Sequence, residues 1–292
     1  MKRRICIILS VAVIVSALVS CTAHPDEEKP ATVATETTAA TTTEPTTVTT
    51  TENLNTTFPE TSTKTIYKGL SKDEEGSYPH KIATYTTYYD SSNTTRTTNL
   101  KNAVKKLNNL VVPNNQVFSF NQNVGKRTVT AGYQTAKIVR DAEFVDGLGG
   151  GVCQVSSTIF ECALRANAEI VVRHAHTLKV SYVPLGGDAT VQWNTQDFQW
   201  KNTSGTDLRI KMKCESGSLT CTLYAKDDIN VGDVNINISK SGNSYVLTRT
   251  VNGKQNYKTV STYKEQKKKK ETTTKKSKKS TTTKKAQTTK KP

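Results

Sequence analysis

The segment that decides the reading is Gly147-Leu148-Gly149-Gly150-Gly151-Val152-Cys153-Gln154-Val155-Ser156-Ser157-Thr158. Four glycines in five residues cannot hold a regular element, whereas Val152, Val155, Ile159, Ala163, Ala166 and Ile170 recur at helical spacing, so a glycine-rich loop is expected to feed a buried helix. Cys153 then stands in the first helical turn. Unsatisfied amides and the positive end of the helix dipole favour an anion there, which raises the thiolate fraction of a cysteine. Glycines also let a carbonyl approach backbone amides, as an oxyanion site requires. Gly150, Gly151, Gln154 and Ser156 are therefore candidate oxyanion or substrate contacts around a candidate nucleophile. Cys162 lies nine residues further on, about 13.5 Å along the axis and on the opposite face, and reads as a core filler.

Downstream the period changes to two. Leu178, Val180 and Tyr182, then Thr190, Gln192 and Asn194, flank Pro184-Leu185-Gly186-Gly187, which predicts a strand, a turn and a strand. Arg173-His174-Ala175-His176 opens the first of these strands, where residues two apart share a face. One imidazole can then serve as general base while the other packs or touches substrate. Asp188 follows the glycine turn and, across a paired hairpin, can approach His176 and fix its tautomer. Cys153, His176 and Asp188 form the candidate catalytic set, with His174 as a substrate contact. Their order and element types resemble the layout of transglutaminase-like and papain-like thiol enzymes. The same residues could supply four zinc ligands, but no CxxC, HExxH or second close ligand pair accompanies them, so no metal or other cofactor is expected.

The rest of the globular region predicts sheet and one more helix. Ile82 to Tyr89 reads as a strand; Leu100, Ala103, Val104, Leu107 and Val111 form an amphipathic helical face closed by Pro113. Leu208 to Met212 and Leu219 to Tyr224 continue the sheet, and a turn centred on Gly217-Ser218 places Cys214 opposite Cys221, either as a disulfide or as two packed thiols. Turns at Ser241-Gly242-Asn243 and Asn252-Gly253 join further short strands in a small β-hairpin extension. The fold class is α+β, a helix with an N-terminal cysteine packed on an antiparallel sheet.

Several strings here resemble the VanW-like domain: Val117-Phe118-Ser119-Phe120-Asn121, Val124-Gly125-Lys126-Arg127-Thr128, Gly132-Tyr133, Gly149 to Thr158, and Tyr182-Val183-Pro184 leading to Asp188-Ala189-Thr190-Val191. The resemblance runs from about Ile82 to Tyr224. It implies a setting in the Gram-positive cell envelope and a link to vancomycin-resistance clusters, and it brings no reaction with it. Where members of that family often carry His-x-His-Ser, this chain has His174-Ala175-His176-Thr177, which keeps both imidazoles.

Composition outside this region points the same way. Lys2-Arg3-Arg4, an apolar stretch from Ile5 to Val19 and Leu18-Val19-Ser20-Cys21 resemble a bacterial lipoprotein signal, with Cys21 as the lipidated residue. The apolar stretch is shorter than the roughly 20 residues of a spanning helix. Residues 21–65 are rich in Thr, with almost no large apolar side chains, and read as an extended stalk. The net charge of +16 suggests a nucleic-acid binder until it is divided: 13 lysines against two glutamates fall in residues 264–292, and most of the remainder is close to neutral. No nucleic acid is expected as a partner. The domain plan is a signal over 1–20, a stalk over 21–65, a VanW-like domain over 66–226, the β extension over 227–263 and a Lys/Thr-rich tail over 264–292. The expected location is the outer face of the cytoplasmic membrane. Partners follow as the membrane through the lipid, peptidoglycan stem peptides through the cleft, and teichoic acids through the tail. Two functions from different classes fit: a Cys-His-Asp thiol hydrolase or acyltransferase on stem peptides, and a non-catalytic peptidoglycan- or glycopeptide-binding or wall-tethering module. A Cys153 that is buried and remote from both histidines favours the second.

Overall fold

A computed structural model describes residues 66–266 apart from residue 73; the signal, lipidated Cys21 and stalk expected from the sequence, and nearly all of the lysine tail, lie outside these residues. The elements in chain order are β1 (His80–Tyr88), α1 (Thr94–Leu107), β2 (Leu110–Val112), β3 (Val117–Ser119), α2 (Phe120–Val124), β4 (Thr135–Arg140), β5 (Glu143–Leu148) and α3 (Val152–Arg165), then β6 (Glu169–Val172), β7 (Gln199–Lys201), β8 (Leu208–Glu215), β9 (Ser218–Ala225), β10 (Val234–Ser241), β11 (Ser244–Val251) and β12 (Lys254–Thr262). The class is α+β.

The central sheet is antiparallel with strand order β1-β9-β8-β2. Strict alternation in β9 turns Leu219, Cys221, Leu223 and Ala225 inward, and Leu208, Ile210 and Met212 of β8 join them. Helices α1 and α3 cover this face, burying Leu100, Ala103, Leu107, Val155, Ile159 and Ala163. Cys162 is fully buried in the same core. A second sheet, β3-β7-β6, stacks Phe118 on Trp200, and β4-β5 forms a separate two-stranded ribbon.

Three expectations are corrected. Helix α1 stops at Leu107, because Asn109 adopts φ +65° and its amide donates to Ile210 O, 2.7 Å away; Val111 therefore lies in β2 rather than on the helix. Helix α3 likewise ends before Ile170. Asn167 takes the left-handed conformation at φ +54°, Asn167 N donates to Leu164 O and Ala168 N to Ala163 O, a Schellman closure that sends Ile170 into β6. The β8–β9 turn is centred one residue earlier than expected. Ser216 and Gly217 both have positive φ, as a type I′ turn requires, so Glu215 pairs with Ser218, Cys214 opposes Leu219 and Cys221 opposes Met212. Both sulfurs are free thiols.

The extension is a three-stranded meander, β10-β11-β12, with its turns at Gly242 and at Asn252-Gly253. It packs back onto the rest of the fold. Leu247 enters the main core, and Arg249 Nη1 donates to Leu164 O and Ala168 O at the end of α3. Residue Tyr263, just past β12, is thereby held beneath the segment that follows β6.

Candidate active site

Gly151 is the N-cap of α3, with φ +107°, which places Cys153 second in the helix. Val152 N donates to Gly149 O and Gln154 N to Gly151 O, while among the described residues no acceptor takes the Cys153 N–H. The loop is pinned from α1. Asn99, fully buried, donates from Nδ2 to Gly150 O and Gln134 O, both at 2.9 Å, and accepts from Gln134 N at 2.7 Å. A Cβ at Gly150 would lie 2.6 Å from Lys137 O, so glycine there lets the loop press against the backbone of β4.

Residues 173–198 form none of the expected strands between Leu178 and Asn194; the segment is irregular, with one isolated bridge between Gln192 and Gln196. The reason lies in its amides. His176 N donates to Asp188 Oδ2 and Ala189 N to Ser157 Oγ, so side chains occupy the groups that a ladder would use. One backbone bond, Thr190 N to His174 O at 2.8 Å, still draws the two arms together. Without a pleat, His174 and His176 do not share a face: His176 and Ala175 line the cleft, and half-buried His174 does not.

His176 Nδ1 lies 2.7 Å from Asp188 Oδ2. A carboxylate only accepts, so Nδ1 carries the proton and Nε2 is left free toward Tyr182 Oη at 3.5 Å. The Cys153 thiol, whose Sγ donates to Val191 O at 3.5 Å, lies near enough to the imidazole for each group to shift the other's pKa. Asp188 is fully buried and accepts from four donors: His176 N, His176 Nδ1, Arg173 Nη2 at 3.2 Å and the hydroxyl of Tyr263. Burial alone would raise its pKa; the His176, Arg173 and Tyr263 contacts hold it below the ordinary carboxylate value. Burial would lower the pKa of His176, and its bond to Asp188 and the nearby Cys153 instead push it up to about 9. Burial likewise opposes ionisation of Cys153, but His176 and the charge of Arg127 bring its thiol below the ordinary value. These groups titrate as a set. The arrangement eases ionisation of the Cys153 thiol beside an imidazole that a buried carboxylate orients.

The other candidates are placed as follows. Gly151 and Gln154 line the cleft, while Gly150 and Ser156 do not. Gln154 Oε1 accepts from Arg96 Nη2 at 2.7 Å, and its Nε2 donates to Thr87 Oγ1 and Tyr88 O, both at 3.0 Å, so the amide is already engaged. Ser156 Oγ donates to Ala189 O at 2.6 Å and ties α3 to the Asp188 segment. Arg173, Tyr182 and Tyr263 are participants that motif reading passed over. Arg173 stood beside His174 in the quoted string; Tyr263 lies 75 residues beyond Asp188 and carries no local signal. The cleft itself has a volume of about 1340 Å³, with the β4-β5 ribbon on one side and residues 175–182 and 190–196 on the other.

Residues 95–224 match the family model described as VanW like protein. The YoaR protein of Bacillus subtilis is 45% identical over 150 residues, covering 51% of this chain and 50% of that protein. The vancomycin B-type resistance protein VanW of Enterococcus faecalis is 26% identical over 132 residues, covering 44% of this chain and 48% of that one. The chain thus spans about half the length of the curated relatives it matches. No solved structure matches it significantly.

Proposed function

For a chain that carries a VanW-like domain over residues 95–224, we propose a cell-envelope thiol hydrolase or acyltransferase that acts on amide bonds of peptidoglycan stem peptides. The observation that carries this reading is the 2.7 Å contact of His176 with buried Asp188 beside the Cys153 thiol, whose pKa His176 lowers. Its order along the sequence, helix start first and then histidine and aspartate, is that of transglutaminase-like and papain-like enzymes. The envelope setting draws on the lipoprotein-like signal at Cys21 and on the resistance function named for the Enterococcus relative.

In this mechanism the Cys153 thiolate attacks the amide carbon and forms an S–C bond. The Cys153 N–H at the start of α3 is the free donor toward the developing oxyanion. As the C–N bond breaks, His176 passes its Nε2 proton to the leaving amine. Water, or an amine acceptor, then attacks the thioester; His176 takes the incoming proton and the thiolate leaves. Asp188 stays ionised throughout and stabilises the imidazolium.

The test is labelling with a peptide-like electrophile, read by mass spectrometry at each cysteine. The reading expects Cys153 to be modified faster than Cys162, and His176→Ala to abolish the difference. Equal or slower labelling at Cys153 overturns it in favour of a binding module.

A further inference from the structure

The walls of the cleft are unevenly charged. Arg96, Lys126, Arg127, Lys137, Arg140 and Lys179 line it, against the carboxylates of Asp90 and Asp141. Lys137 is paired with Asp146 at 2.9 Å and Lys179 with Glu265 at 3.3 Å. The two cleft arginines that lie against the glycine loop, Arg96 and Arg127, are not so compensated. Arginine–carboxylate pairs among the described residues are those of Arg165, Arg173 and Arg209. Among the described residues, Arg96 bonds only the neutral oxygen of Gln154, and Arg127 Nη1 only Asn121 Oδ1 and Gly125 O, at 2.8 and 3.1 Å. The carboxylate of buried Asp197 acts on Arg127 by charge but is bonded to Asn121 N rather than to the guanidinium.

Both are half-buried and lie against opposite ends of the glycine loop. A Cβ at Gly149 would sit 3.2 Å from the Cβ and Cγ of Arg127, and one at Gly151 would sit 3.1 Å from Cγ and 3.3 Å from Nη1 of Arg96. The glycines thus admit two guanidinium side chains beside Cys153 as well as freeing the backbone. A partly buried guanidinium without a directly bonded counter-charge is costly, and its planar fork matches an oxyanion in two-point contact.

We propose that Arg96 and Arg127 form a carboxylate-binding subsite flanking Cys153, and that the cleft selects an acyl peptide carrying a free carboxylate next to the attacked amide. This rests on the thiol-acyl reading for its substrate but not for its anion site. The carboxylate lies across the two guanidinium edges while the adjacent carbonyl reaches the thiol, so the same contact supplies affinity and register.

Paired alkylating agents test it in the full chain. Iodoacetate carries the carboxylate and iodoacetamide does not, and each cysteine is quantified by mass spectrometry. The ratio of iodoacetate to iodoacetamide rates at Cys153 should exceed that at Cys214 by about tenfold at low salt, a factor within reach of one charge contact in a partly buried site. It should fall toward the Cys214 ratio in Arg127→Gln and Arg96→Gln and be largely retained in Arg127→Lys. No excess in the wild type, or an excess unchanged in folded variants, overturns the subsite. If neither reagent modifies Cys153, the nucleophile reading fails by itself. The subsite is then decided in Cys153→Ala by titration with N-acetylalanine and N-acetylalaninamide, following arginine Nε–H resonances. Shifts with the acid alone support the subsite; no shifts, or equal ones, overturn it.

Discussion

The hydroxyl of Tyr263 donates to Asp188 Oδ1 and accepts from Gly186 N, at 2.7 Å, so a residue past β12 props the carboxylate that orients His176. The VanW-like match ends at residue 224, yet the network continues into the meander. Tyr263→Phe removes a hydrogen bond to a charged group and leaves Gly186 N without its acceptor. A loss of about 1.5–3 kcal/mol of stability is expected in chemical denaturation, together with slower alkylation of Cys153. Unchanged stability and unchanged alkylation would show that the tyrosine merely packs.

The pH dependence of thiol reactivity follows from opposite shifts at two cysteines. Burial raises the pKa of Cys214, whereas that of Cys153 is lowered by the balance of contacts described above. At neutral pH the thiolate fraction is therefore larger at Cys153, and the Cys153:Cys214 ratio of iodoacetamide rates should shrink as pH rises and Cys214 ionises. Activity through the thiolate–imidazolium pair should rise with pH as Cys153 loses its proton and fall again as His176 loses its own near 9. A bell without that alkaline limb would separate His176 from the chemistry.

Replacing Asp188 leaves buried Arg173 without its partner, since their contact of 3.2 Å is between side chains only 3% and 0% exposed. Asp188→Asn is expected to cost about 3–5 kcal/mol, the scale for breaking a buried pair. It should also return the His176 pKa toward the ordinary histidine value. Two-dimensional NMR of the imidazole and urea melts measure the two effects in one variant. The sign with pH is fixed as well: a carboxylate held below its unfolded pKa contributes stability above that unfolded value, and loses it as pH falls through the folded one. The wild type should therefore lose an acid-dependent contribution that Asp188→Asn lacks.

Gly150→Ala probes the loop rather than the thiol. A methyl 2.6 Å from Lys137 O meets backbone that cannot swing aside, so the loop must lift from β4. About 1–3 kcal/mol of destabilisation is expected, the usual scale for overpacking. Cys153 alkylation should change with it, whereas Gly76→Ala, which meets nothing within 4 Å, should leave Cys153 reactivity unaltered.

Cys21→Ser should leave an unprocessed precursor that lacks the lipid, as detergent partitioning and mass spectrometry of the N-terminal segment would show. A normally processed, released mature form would refute the lipoprotein reading of Leu18 to Cys21.

The features legible from the residues alone were local in origin. Glycines that no helix tolerates, followed by apolar residues at helical spacing, place Cys153 at the start of α3, and alternation places Leu219, Cys221 and Leu223 on one face of β9. Tertiary structure decided what depends on competition for hydrogen bonds. The segment around His176 carries the alternation of a strand, but Asp188 and Ser157 claim its amides, so it stays irregular and turns only one of its two histidines into the cleft. The β8–β9 register followed the φ signs of Ser216 and Gly217, a one-residue choice between neighbouring turns that composition leaves open, and it separated Cys214 from Cys221. Tyr263 reaches Asp188 only because the meander folds back across the end of α3; no periodicity records a contact between residues 75 apart, since it exists only once both surfaces have been assembled.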